Sequence, residues 1–150
     1  MIEIRLATLA DLDNVAALFD AYRQFYDQSP DLEKARKFIS GRLNRHESDI
    51  LLAINPQSDV VGFCQLYPTF CSVDAAPIYA LYDLFVVPQA RRTGAGKALL
   101  RAAEKLAAAN GKVRMDLTTA RTNLPAQAAY ELLGWVREDV FLGYSKTIPM

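Results

Sequence analysis

Leu81-Tyr-Asp-Leu-Phe-Val-Val-Pro-Gln-Ala-Arg-Arg-Thr-Gly-Ala-Gly-Lys-Ala-Leu-Leu100 decides how the chain is read. It begins inside an apolar and aromatic run, Ile78 to Val87, whose length and β-branching predict a buried strand that Pro88 ends. A polar loop with Arg91 and Arg92 follows. Gly94-Ala-Gly96 then leads into a helix with Ala95, Ala98, Leu99, Ala102 and Leu106 on one side. A strand, a basic glycine loop and a helix N-terminus together suit an anion. Glycine accepts positive φ and close backbone approach. The first helical N–H groups lack partners and sit at the positive end of the helix dipole. Arg91, Arg92 and Lys97 add charged donors.

The spacing separates this loop from two other phosphate binders. A P-loop needs a hydroxyl after its lysine, and Ala98 follows Lys97. A dinucleotide loop needs a third glycine where Leu99 stands. What remains is Arg91-x-x-Gly94-x-Gly96.

Working outward, 150 residues of which 51% are hydrophobic and 23% charged make one soluble globular domain the expectation, 1–150. No apolar run reaches membrane-spanning length, and the first residues lack a signal-peptide pattern, so a cytoplasmic protein is expected. Cys64 and Cys71 read as reduced thiols, and the single histidine, His46, excludes a His-rich metal site. A net charge of zero gives no general pull toward nucleic acid or membrane. Its distribution is uneven. Residues 1–33 carry seven acids against two arginines, whereas residues 88–109 carry five basic residues against Glu104. The acidic third either steers a cation or is simply a solvated face.

In chain order, Ile2 to Leu6 alternates as a strand, and Thr8 with Asp11 forms a capping box for a helix to about Tyr26. Ser29-Pro30 is expected to start a second helix. Asp49 to Ile54 and Val60 to Tyr67 form a hairpin, and a loop with Pro68 and Pro77 leads to the central strand. The helix from Gly94 stops at Asn110-Gly111, and Val113 to Thr118 is the next strand. Asn123 caps a helix that Gly134 stops. Closing strands are expected around 135–137 and 141–148.

Arg91-x-x-Gly94-x-Gly96 resembles the Arg/Gln-x-x-Gly-x-Gly/Ala signature of the GCN5-related N-acetyltransferases (GNAT). Asn123-Leu-Pro-Ala-Gln-Ala-Ala-Tyr130-Glu-Leu-Leu-Gly134-Trp135 is similar to the family's second motif, with Trp for Phe. The element order matches the family over nearly the whole chain. The resemblance implies a three-layer α/β (α+β) fold: a mixed sheet of about seven strands with helices on both faces. It implies acetyl-coenzyme A as cosubstrate, with no metal, and transfer of acetyl to a primary amine by direct attack in a ternary complex. A non-catalytic acyl-coenzyme A binding module on the same fold is the alternative. A fainter likeness to histone- and polyamine-type members implies a homodimer acting on a small amine or a lysine side chain, with no nucleic-acid or membrane partner.

Residue by residue, the resemblance assigns the cosubstrate phosphates to Arg91, Arg92, Thr93, Gly94, Ala95, Gly96 and Lys97. The backbone of Leu84, Phe85 and Val86 would pair with pantetheine, and Asn123 would lie along the cosubstrate. Arg92 stands where the family commonly has glycine. Tyr130 matches the tyrosine that reaches the sulfur, as general acid. Where polyamine-type members carry glutamate, this chain has Tyr82, which leaves Asp83, Tyr82 or water as the base. Asp83 is independently notable as the one carboxylate in an apolar strand, since a buried acid is costly unless partnered. Tyr22, Phe25 and Tyr26 either face the acceptor channel or pack in the core.

Overall fold

The computed structural model describes all 150 residues. They form two compact units, Met1–Thr118 and Thr119–Met150. In the first, β1 (Glu3–Leu6) leads through a 3₁₀ turn into α1 (Leu12–Phe25) and α2 (Leu32–Asn44). Then come β2 (Asp49–Ile54), β3 (Val60–Cys71), β4 (Ala76–Val86), α3 (Ala95–Ala109) and the two-residue β5 (Met115–Asp116). The sheet order is β1-β2-β3-β4-β5, antiparallel as far as β4 and parallel between β4 and β5. A strand–helix–strand crossover supplies the one parallel pair, as expected of β4-α3-β5.

Strand alternation divides the core between two faces. Ile50, Leu52, Phe63 and Phe85 pack with Val15, Leu18 and Phe19 of α1 and Ala35 and Ile39 of α2. Leu51, Ala53 and Cys64, of opposite parity, are also buried, as are Ala95, Leu99, Leu100, Ala103 and Ala107 on one stripe of α3. Helices therefore cover both faces. At Gly62 a Cβ would lie 2.9 Å from the Phe85 carbonyl oxygen, so β3 meets β4 this closely only because the residue is glycine.

Several expectations are corrected. Asp31, not Ser29, caps α2, accepting from the Lys34 N–H at 3.1 Å. Its own N–H is held by Asp20 Oδ1 at 2.9 Å, which fixes the helix entry beyond Pro30. Pro68 and Pro77 lie in paired strand, opposite Tyr79 and Phe70. Pro68 is tolerated because β2 ends opposite Leu66, so β3 has only one neighbour there.

The sheet has five strands rather than seven. In the second unit α4 (Leu124–Leu132) is the only regular element, and residues 135–150 form no strand. Local bonds take the backbone groups that a ladder would use: Glu138 Oε1 accepts from the Val140 N–H at 2.6 Å and the Phe141 N–H at 3.3 Å. Asn123 Oδ1 caps α4 from the Ala126 N–H at 3.3 Å. Gly134, at φ 92°, ends the helix and lets the Trp135 N–H reach the Tyr130 carbonyl at 3.0 Å.

Candidate active site

The glycine loop has the geometry its spacing predicts. Pro88–Ala90 is a 3₁₀ turn, and Thr93 Oγ1 ties back to the Ala90 carbonyl at 2.6 Å. Arg92 takes a left-handed φ of 66°, and Gly94, the N-cap of α3, takes 87°. Arg92 thus adopts the backbone that glycine at this position would supply freely, at a cost of about 1 kcal/mol. The first helical bond is Ala98 N–H to Gly94 carbonyl at 2.9 Å, which leaves the Ala95, Gly96 and Lys97 N–H groups as the free donors of the turn. Arg92, Thr93 and Lys97 are exposed around them. Arg91 Nε donates to the Val86 carbonyl at 3.1 Å, and its guanidinium lies 5.8 and 5.9 Å from the Phe25 and Phe85 ring centres. Converging N–H groups, positive charge and an uncrowded Gly94 fit a pyrophosphate.

Beside this loop, β4 pairs with β5 only at Tyr79 and Ala80. From Leu81 to Val86 the edge of β4 away from β3 has no strand partner. The backbone at Leu84, Phe85 and Val86 therefore borders an open edge, while the Phe85 side chain is core.

On the helical face a pocket of about 250 Å³ opens between α1, α2, β3 and β4. Tyr22, Tyr26, Tyr67, Tyr82, Phe19 and Phe38 give it aromatic walls, and Asp83, Arg23 and Gln28 also line it. Tyr22 stacks edge-on with Tyr26, Phe63 and Phe85. Tyr67 meets Tyr82 edge-on at 5.6 Å. Of the α1 aromatics, Tyr22 packs against the core and also lines the pocket, Tyr26 lines the pocket but is half exposed, and Phe25 is exposed and does not line it. A bulge places Asp83 opposite Gln65 and Leu81 opposite Leu66, so Tyr82 is the extra residue. Tyr82 is accordingly thrown outward, 71% exposed.

Asp83 is 4% exposed and takes part in no ion pair. Gln65 Nε2 donates to its Oδ2 at 2.6 Å. Burial pushes the Asp83 carboxyl above the ordinary range, and the donors on Gln65 and Tyr22 act against that rise. Tyr22, whose hydroxyl oxygen also lies 3.3 Å from the Tyr82 carbonyl oxygen and whose one proton can serve either acceptor, is itself raised by burial first and by the Asp83 charge second. The same two causes, in the same order, push Tyr67 up to about 12. The pocket thus holds one buried carboxylate without an ion-pair partner, walled by aromatic rings. A proton or a cation is what it lacks.

Tyr130 and Asn123 belong to the second unit. Asn123 is the cap of α4, and the Tyr130 ring lies 6.0 Å from Trp135. Much of the acidity of the first 33 residues is structural: Asp11 pairs with Arg5, Asp13 with Arg36, and Asp20 and Asp31 cap backbone N–H groups.

The sequence profile described as "Acetyltransferase (GNAT) family" matches residues 13–135. The chain belongs to the GNAT acetyltransferase family. It is 44% identical, over 97% of both chains, to YhfO of Bacillus subtilis, named an uncharacterized N-acetyltransferase. A crystal structure described as that of a probable acetyltransferase superposes with a TM-score of 0.91 at 38% identity, covering 99% of each chain. An aminoglycoside N(6')-acetyltransferase of Klebsiella aerogenes is 32% identical over 66% of this chain and 66% of its own. This GNAT protein is therefore an N-acetyltransferase, and the sheet and helices described above are the family's fold. No helix is long and apolar enough to cross a membrane.

Of the residues picked from sequence, the structure brings together Tyr22, Tyr26, Tyr82 and Asp83 at the pocket, and Arg91 to Lys97 at the loop. Gln65 was missed. It reads as one polar residue in a strand, and only the register reveals that it faces Asp83.

Proposed function

We propose that this GNAT protein transfers acetyl from acetyl-coenzyme A to a primary amine that arrives as a cation, by direct attack in a ternary complex. The observation that carries this reading is Asp83, a buried carboxylate without a counter-ion among aromatic walls. Aromatic faces attract an ammonium group by about 0.5–2 kcal/mol. An ammonium with a pKa of ~10.4 costs about 4.6 kcal/mol to deprotonate at pH 7. A carboxylate raised by burial is a stronger base than an exposed one, and it gains most from taking that proton. The freed amine attacks the thioester carbonyl carbon, a C–N bond forms and the C–S bond breaks, the departing thiolate takes a proton from an acid, and the nitrogen releases its second proton as the amide forms, which restores that acid. Tyr130 is the acid proposed.

Arg91 to Lys97 would hold the pyrophosphate through the free N–H groups of α3, and the open edge of β4 at Leu84–Val86 would receive the amide-bearing arm. Asn123 would lie along that arm. Neither cysteine lines the pocket: Cys64 is fully buried with its thiol raised by burial, and Cys71 lies at the end of β3 beside Arg114. Similarity to an aminoglycoside acetyltransferase, whose named substrates are amines, supports a small cationic acceptor over an uncharged one. We further propose that the protein works in the cytoplasm as one catalytic domain and as a homodimer. Exposed Phe70 and Val73 on the β3–β4 hairpin would supply apolar surface for the dimer.

The test is thiol release from acetyl-coenzyme A across a panel of amines matched in size and differing in charge. Diamines and lysine peptides should turn over, and added salt should slow them by screening. Equal turnover of an uncharged amine at all salt concentrations would remove the role given to the pocket.

A further inference from the structure

Asp83 does not hold its position alone. Directly across the ladder on β3 stands Gln65, 0% exposed, and the Ser48 hydroxyl just before β2 donates to Gln65 Oε1 at 2.8 Å. The amide is therefore oriented from behind. A carboxylate only accepts, so the end of Gln65 that faces it must be the NH₂, and the Ser48 contact at the other end matches that assignment. Three polar side chains in a row inside a sheet core are costly compared with apolar residues of similar size, because each must be fully partnered. All three are partnered, and the series ends at the pocket.

We infer that Gln65 is a positioning residue for the Asp83 base: braced by Ser48, its amide holds one carboxylate oxygen and keeps the buried charge in place at the acceptor pocket. This rests on the reading of Asp83 as base. The other groups facing Asp83 do not duplicate the role. Tyr22 of α1 reaches it from the pocket side, but its one hydroxyl proton is shared between Asp83 and the Tyr82 carbonyl 3.3 Å away. Burial keeps Cys64 and Tyr67 neutral, the Tyr82 side chain is thrown outward, and Arg23 on the pocket wall forms no ion pair with Asp83.

The experiment follows the Asp83 carboxyl by ¹³C NMR titration of the whole chain, alongside the pH profile of kcat/KM. The variants are Gln65→Met, Ser48→Ala and Asp83→Asn. Loss of a hydrogen bond to a charged group should move the Asp83 titration upward by roughly 1–2 pH units in Gln65→Met, and less in Ser48→Ala. The acidic limb of kcat/KM should move with it, which a merely structural glutamine would not cause. An unmoved titration in Gln65→Met, with the limb absent in Asp83→Asn, would overturn this inference and leave the base in place. A limb that persists in Asp83→Asn would remove the base reading and this inference with it. Should Gln65→Met fail to fold, the smaller Ser48→Ala change carries the test, and an unmoved Asp83 titration there overturns the inference.

Discussion

Asp83→Asn should make this protein more stable and much less active. The substitution keeps the shape of the side chain, and its amide oxygen can still accept from Gln65 Nε2, now 2.6 Å from Oδ2. What it removes is a charge that is 4% exposed and unpaired with any cation. The sign follows from linkage. Burial raises the Asp83 carboxyl in the folded state, so its ionisation weighs against folding at every pH above the unfolded value and not below it. Removing that penalty at neutral pH should stabilise by roughly 0.5–2 kcal/mol, the range seen when a strained site residue is relaxed. The melting temperature should rise at pH 7–8, and the gain should vanish toward pH 4. Removing a positioned base should lower kcat/KM by about 10²–10⁴. Thermal melts across pH and steady-state thiol release would read both. A variant that is less stable at pH 8, or that turns over near the parental rate, would refute the reasoning. In the first case the carboxylate is paid for by partners; in the second the base lies elsewhere.

Gly94→Val should weaken acetyl-coenzyme A binding by tenfold or more in calorimetry while leaving the protein folded. A Cβ there meets nothing within 4 Å, so the cost is the left-handed φ of 87°, roughly 1–2 kcal/mol for a β-branched residue. Tyr130→Phe keeps the ring against Trp135 and should lower the rate by ~10²–10⁴ with cosubstrate affinity little changed; a few-fold loss would make the tyrosine structural. The Arg5 guanidinium beside Asp11 lowers that carboxyl to about 2, an ion pair with contacts of 2.8 and 2.9 Å. Because this folded value is depressed, its stability is present above about pH 4 and lost as pH falls toward 2. Arg5→Ala should therefore cost about 1 kcal/mol in neutral-pH denaturant melts, discounted because the arginine is partly exposed and Thr8 shares in holding Asp11, and little once the pH is below 2.

The sequence exposed what depends on local chemistry. Asn123 and the stops at Gly111 and Gly134 satisfy backbone groups within a few residues and are found where their spacing predicts, the glycine loop leads into α3 as expected, and the Thr8–Asp11 box opens a 3₁₀ turn just ahead of α1 rather than α1 itself. Features that depend on pairing were not legible. Pro68 in a strand makes sense only once β2 is seen to end at Leu66, and the bulge at Tyr82 is a matter of register. Residues 141–148 alternate enough to suggest a strand, but Glu138 holds the N–H groups of Val140 and Phe141 locally. At the site, Asp83 stood out as a lone carboxylate among apolar residues. Its partner did not, because Gln65 is 18 residues away and becomes meaningful only across the ladder.

The central claim, direct acetyl transfer from acetyl-coenzyme A to a cationic amine, is tested most directly by a quenched single turnover. Protein in excess over acetyl-coenzyme A is mixed with a diamine, stopped at intervals and read by intact mass together with free thiol and acetylated product. The account predicts thiol and acetyl-amine appearing together, one for one, with the protein mass unchanged throughout. A protein species one acetyl group heavier that forms and decays on the path to product would contradict it.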